Sequence, residues 1–126
     1  MARIKLLIDT DVFIDYLNTG RLHALFENRD VEIYYSVVTK KELLCKGGLK
    51  EMERRAIMHT LKRYRIIPLD DRITSIYSEL RIRQPALEKE DALIAAAALA
   101  RKLPLVTRNQ RHYKDIEGLI LFKNPR

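Results

Sequence analysis

Asp9, Glu42 and Asp91 are carboxylates whose positions beside apolar segments admit both a structural and a chemical use. Asp9 ends the apolar run Ile4-Lys5-Leu6-Leu7-Ile8, and Asp11 follows one residue later. Either Asp9 or Thr10 can cap a following helix, with Asp11 favouring its positive end. Glu42 lies three residues after Thr39, the spacing of a capping box, so spacing alone favours a structural role. Asp91 directly precedes Ala92-Leu93-Ile94-Ala95-Ala96-Ala97. A carboxylate at the mouth of a buried helix is costly unless it is paired or bound to a cation. Thr107-Arg108-Asn109 offers a hydroxyl and an amide after another apolar run, and also reads as an ordinary turn and helix cap. Asp15, four residues after Asp11, reads as solvated. His112 reads as a turn residue, His23 and His59 are isolated, and no Cys/His cluster suggests zinc.

These groups meet only if the intervening elements bring them to one edge. Apolar runs bounded by turn formers predict strands at about 4–8, 31–35, 65–69, 103–107 and 119–122. Helical spacing predicts helices from Thr10 to Asn18 (stopped by Gly20), Arg21 to Asn28, Thr39 to Lys46 (stopped by Gly47-Gly48), Leu49 to Tyr64, and from Asp70-Asp71 onward. The stretch from Glu90 to Lys102 is apolar almost all round and predicts a buried helix. Residues 108–114 read as a polar turn, and Pro68 suggests a sheet edge. Strands alternating with helices imply an α/β fold, with a mostly parallel sheet of about five strands and helices on both faces. Ligands bind such sheets beyond the carboxyl ends of the strands, where strand order switches. That rule directs attention to Asp9 and Thr107.

The 126 residues are expected to form one domain, 1–126, with a real core. The longest apolar run is far shorter than the roughly 20 residues of a membrane span. Cys45 is alone, so no intrachain disulfide forms, and a reducing cytoplasm is the expected location. A net charge of +7 favours polyanionic partners, nucleic acid first.

Four segments, in order, resemble the PIN-domain endoribonucleases, specifically the VapC-type toxins of prokaryotic toxin–antitoxin pairs. They are Leu7-Ile8-Asp9-Thr10-Asp11-Val12-Phe13-Ile14-Asp15-Tyr16-Leu17, Ser36-Val37-Val38-Thr39-Lys40-Lys41-Glu42-Leu43, Glu90-Asp91-Ala92-Leu93-Ile94-Ala95-Ala96-Ala97-Ala98-Leu99, and Leu105-Val106-Thr107-Arg108-Asn109-Gln110-Arg111-His112-Tyr113. The resemblance implies a single PIN-like domain in which Asp9, Glu42 and Asp91 form an acidic pocket. Asn109 stands where the family often has an acid, and His112 stands near a further acid of some members, which leaves open one metal ion or two. Crowded carboxylates repel one another, and a hard divalent cation, Mg²⁺ or Mn²⁺, removes the conflict. On this reading Asp9 and Asp91 are the main ligands, and Glu42 binds through water or orients the nucleophile. Thr107 and Asn109 position water or phosphate, with Asp11 and His112 in support. Arg108, Arg111 and Lys114 are the nearest basic residues for an RNA backbone. A homodimer and a VapB-like antitoxin are the partners the family implies.

Three other classes share parts of the pattern. A haloacid-dehalogenase-like phosphatase begins with a strand and Asp-x-Asp, here Asp9 and Asp11, but Asp115 and Glu117 are poor matches to its terminal acidic pair. A phospho-acceptor receiver domain would use Asp70, Thr107 and Lys123. A non-catalytic RNA-binding module would leave every carboxylate as a cap.

Overall fold

β1 (Ile4–Ile8) is the strand around which the sheet is built. Its side chains alternate between two cores: Leu6 and Ile8 enter one apolar cluster, and Leu7 enters the other. The same alternation places Leu105 in one cluster and Val106 in the other. A strand apolar on both sides must be covered on both, and helices cover it.

The structure, a computed structural model, describes residues 3–123. After β1 come α1 (Thr10–Thr19), α2 (His23–Phe26), β2 (Val31–Ser36), α3 (Val37–Leu44), α4 (Glu51–Leu61) and β3 (Arg65–Ile67). The chain continues through α5 (Asp71–Arg83), α6 (Lys89–Arg101), β4 (Leu105–Val106) and α7 (Gln110–Tyr113). The sheet order is β3-β2-β1-β4 and every pairing is parallel. The order runs outward from β1 to β3, then returns to put β4 on β1's other side. The switch in strand order therefore falls between β1 and β4, where Asp9 and Thr107 emerge.

Five differences from the sequence expectations have local causes. The fifth strand is reduced to a parallel bridge between Leu105 and Leu121, flanked by hydrogen bonds from Leu105 N to Ile120 O and Phe122 N to Leu105 O. Residues 108–114 are not wholly turn, because α7 supplies one helical turn that sinks Tyr113 into the core. α2 and α4 are shorter than predicted, because Leu22 takes a left-handed φ of 65° before α2 and Lys50 caps α4, its N–H donating to Glu53 at 2.9 Å. β4 keeps only two paired residues of the predicted 103–107, its pairing with β1 being limited to Leu7–Leu105 and Ile8–Val106. The start of α3 also moves: Ser36 is its cap, its Oγ accepting from Val38 N at 3.0 Å, so Thr39 lies inside the helix and caps nothing.

Other expectations hold. Gly20 closes α1 at φ 72°, in the left-handed region that favours glycine, and donates its N–H to Tyr16 O. Asp70 caps α5 by accepting from Ile73 N at 2.9 Å, a structural use. β3, followed by Pro68, is an edge strand. In α6, Ala92 and Ile94 through Ala98 are buried, in the cluster that also holds Leu7 and Leu105 of the sheet and Ile73 and Leu80 of α5. Among the described residues, no helix is long and apolar enough to cross a membrane.

Candidate active site

Asp9 leaves β1 with its backbone N–H donating to Val106 O of β4 at 2.9 Å, which fixes the carboxylate at the switch point. It caps α1, as the structural reading expects, with Oδ1 accepting from Thr10 N at 2.8 Å. It does more than cap. Oδ2 accepts from the Thr107 hydroxyl at 2.7 Å and from the Tyr113 hydroxyl at 3.1 Å. The residue is only 5% exposed. Burial raises its carboxyl above the usual range, with a contribution from the charge of Asp91, although Thr107, Thr10 and Tyr113 pull the other way.

Asp91, in the first turn of α6, faces the same phenol: Tyr113 Oη lies 3.1 Å from Asp91 Oδ1. The other oxygen, Oδ2, lies 3.3 Å from His112 Nδ1. A single hydroxyl thus joins the first and third predicted acids.

Glu42 arrives on α3. Its Oε1 accepts from the Thr10 hydroxyl at 2.6 Å. Thr10 Oγ1 is also 2.9 Å from Thr39 Oγ1. Since the one Thr10 proton goes to Glu42, the Thr39 hydroxyl donates to Thr10. Thr39 and Glu42 are therefore coupled through Thr10, not through a capping box. Burial raises the Glu42 carboxyl, helped by the charges of Glu90, Asp9 and Asp91.

The loop after β4 is stapled to α1. Asn109 Nδ2 donates to Asp11 Oδ2 at 2.9 Å, and Arg108 forms an ion pair with Asp15 at 2.9 Å. Asp15, read from sequence as solvated, is the anchor of that pair. Arg108, predicted as an RNA contact, pairs with Asp15 through one guanidinium nitrogen and remains half exposed. Arg111 is exposed and lines an open depression with residues 107–110 and His112, whereas Lys114 lies outside that lining. The second oxygen of Asp11, Oδ1, is buried with no hydrogen-bond partner. Burial, then the charge of Asp9, raises Asp11 to about 6.

The predicted residues are thus gathered at one sheet edge, but with hydroxyls set between the acids. Among the described residues, no three of the His, Cys, Asp and Glu side chains converge closely enough to hold an ion together. The Tyr113 hydroxyl lies between Asp9 and Asp91, and the Thr10 hydroxyl lies on Glu42. The donor set still suits a hard cation. It consists of oxygens, three of its carboxyls are raised by burial and by like charge, and one Asp11 oxygen lacks a partner.

Tyr113 is the residue in contact with both acids that sequence reasoning missed. It lies in a stretch of Gln, Arg, His and Lys that hides its burial. The available signal was a lone aromatic residue three positions before the apolar Ile116, both of which are buried.

The raised carboxyls give a pH dependence with a definite sign. Asp11 retains its proton in the folded state at pH values where an unfolded Asp has lost it. Its contribution to stability is complete below the ordinary pKa near 3.8 and disappears as pH rises through about 6. In metal-free buffer, the melting temperature of the parent relative to Asp11→Asn is expected to fall between pH 4 and pH 7. Parallel melting curves across that range would count against this account of Asp11.

A PIN domain family model matches residues 6–118. Ribonuclease VapC10 of Mycobacterium tuberculosis is 30% identical over 121 residues, covering 90% of each chain. Ribonuclease VapC1 of Methanocaldococcus jannaschii is 28% identical over 118 residues, 90% of this chain and 82% of the relative. Among solved structures, VapBC2 from Rickettsia felis bound to a DNA fragment from its promoter superposes with a TM-score of 0.79 at 27% identity, over 94% of this chain and 98% of that one. The fold, the strand-order switch and the family match agree: the chain belongs to the PIN-domain family.

Proposed function

We propose that the protein is a divalent-cation-dependent endoribonuclease that hydrolyses RNA phosphodiester bonds, acting as the toxin of a VapBC-type toxin–antitoxin pair. The observation that carries this reading is the linkage of Asp9 to Asp91 through Tyr113, with Glu42 one threonine away. The similarity to ribonucleases VapC1 and VapC10 supports the substrate class. Asp9 and Asp91 would hold Mg²⁺ or Mn²⁺, with Glu42 and Asp11 close enough to take part through water. When bound, the cation supplies an activated water and offsets charge developing on the phosphoryl oxygens.

The chain's own residues supply the rest. Thr107 orients the Asp9 carboxylate. Asn109, held on Asp11, stands at the rim where water or phosphate would be positioned. His112 keeps one oxygen of Asp91 turned toward the rim. Arg111 offers a free cation for the RNA backbone at the same depression. The contacts of such a site are to phosphate, so it reads little of base identity, and target choice falls to RNA shape and surrounding loops.

We infer the partners from the solved relatives, which are toxin–antitoxin complexes. A VapB-like antitoxin would cover the apolar groove formed by Ile14, Leu17, Leu43, Leu49, Ala56 and Ile57, which Glu42 also lines. A homodimer is the expected form of the toxin itself.

Purified protein is expected to cleave structured RNA in Mg²⁺ or Mn²⁺, to stop in excess EDTA, and to recover when the cation is returned. RNA binding with no cation-dependent cleavage across a panel of structured RNAs would favour the non-catalytic binding module. Release of phosphate from a small phosphomonoester would favour the phosphatase.

A further inference from the structure

We infer that Tyr113 is a positioning residue whose hydroxyl holds the Asp9 and Asp91 carboxylates at the spacing from which both bind one cation. This rests on the metal-dependent reading above and names the residue that sets the geometry of its site.

Three observations carry it. The ring is fully buried at 1% exposure and packs in the cluster that contains Leu7, Ala95, Leu105 and Ile116. Packing alone would be served equally by Phe, which fills the same volume without a polar atom to satisfy. The hydroxyl nevertheless enters the core and lies 3.1 Å from two carboxylate oxygens, which share its single proton. Those acceptors come from separate elements, the end of β1 and the first turn of α6, and the phenol is the hydrogen-bonded link between them.

The two acids depend on it unequally. The Asp9 carboxylate has two further donors, Thr10 N and Thr107 Oγ1. Among the described residues, Asp91 has only His112 besides, an exposed imidazole at 3.3 Å. Loss of the phenol hydroxyl therefore releases Asp91, which is free to turn outward, away from the like charge of Asp9. Residues that orient metal ligands from behind typically change metal affinity by roughly 10- to 100-fold when altered.

The test is Tyr113→Phe, which removes one oxygen and opens no cavity. Mn²⁺ binding, followed by the loss of free-ion signal in electron paramagnetic resonance, is expected to weaken by about tenfold while cooperative unfolding is retained. RNA cleavage should then show a raised requirement for Mn²⁺, with kcat near the parent's at saturating cation. Ile73→Val, in the same apolar cluster, should lower stability without altering Mn²⁺ affinity, which separates positioning from general loosening of the core. Equal or tighter Mn²⁺ binding by Tyr113→Phe overturns the inference. So does failure of that variant to fold, since the hydroxyl would then serve the fold. If the parent itself binds no Mn²⁺, the metal reading fails at its root, a result distinct from unchanged affinity in the variant.

Discussion

Asp9→Asn is expected to reduce RNA cleavage by on the order of a thousandfold while leaving a folded protein, the scale seen when a pre-placed electrostatic group is removed from a site. The amide keeps the shape of the carboxylate but loses its charge and one acceptor oxygen. That matters because the carboxylate receives three donors, from Thr10 N, Thr107 Oγ1 and Tyr113 Oη. An amide that keeps its oxygen on Thr10 N turns its NH₂ to the Thr107 and Tyr113 hydroxyls, which must then accept instead of donate. Stability should move little by comparison, since a neutral side chain suits a 5%-exposed position whose carboxyl is already raised. The measurement is kcat/KM on a structured RNA in Mn²⁺, beside a thermal melt. A folded Asp9→Asn protein that cuts as fast as the parent would remove Asp9 from the reaction. Asp91→Asn should follow the same pattern.

Phe13→Ala is expected to destabilise the protein by about 3–5 kcal/mol, the range for emptying a large aromatic site in a core. Phe13 is fully buried and meets three other rings edge-on: Phe26 at 5.1 Å, Tyr35 at 5.7 Å and Tyr64 at 6.1 Å between centroids. These rings come from α2, β2 and the turn before β3, so the cluster seats α1 against half the molecule. The loss would consume a large part of the roughly 5–15 kcal/mol that keeps a domain folded. Urea unfolding should show a lower midpoint, with the slope unchanged if the transition remains two-state. A loss below about 1 kcal/mol would mean that the surrounding rings collapse into the vacancy. Phe13→Leu should be milder in stability and still reduce cleavage, because the start of α1 carries Thr10 to Glu42.

Much of the scaffold was legible because its signals are local. The run ending at Asp9 is apolar enough to be a central strand, and the alanine-rich stretch after Asp91 has no polar face to offer water. Those two features put Asp9 at a strand end and Asp91 at the mouth of a buried helix, while their meeting in one pocket was implied by the resemblance to the PIN family. Glu42 was harder, since Thr39 three residues earlier mimics a capping box. Only the position of Ser36, one residue before the helix, shows which hydroxyl caps and which is spent on Thr10. Tyr113 was not legible as a site residue because burial of a single side chain on a four-residue helix produces no periodic pattern. Nor does any property of Arg108 in the sequence reveal that Asp15, 93 residues earlier, will claim it. The fifth strand was overestimated for a related reason: 119–122 is apolar, but strand length depends on how much of β4 is available for pairing.

The partners of Asp9 also govern when the site comes into being. Thr107 and Tyr113 follow it by 98 and 104 residues. Contacts this distant in sequence form late, after the cost of closing a long loop has been met. Synthesis runs from the N-terminus, so β1, α1 and Glu42 emerge from the ribosome well before the residues that orient Asp9. A nascent chain that stops short of residue 113 lacks the hydroxyl that joins Asp9 to Asp91. In an enzyme that cuts RNA, made by a machine of RNA on a template of RNA, the pair of acids is thus joined only once residue 113 has been made.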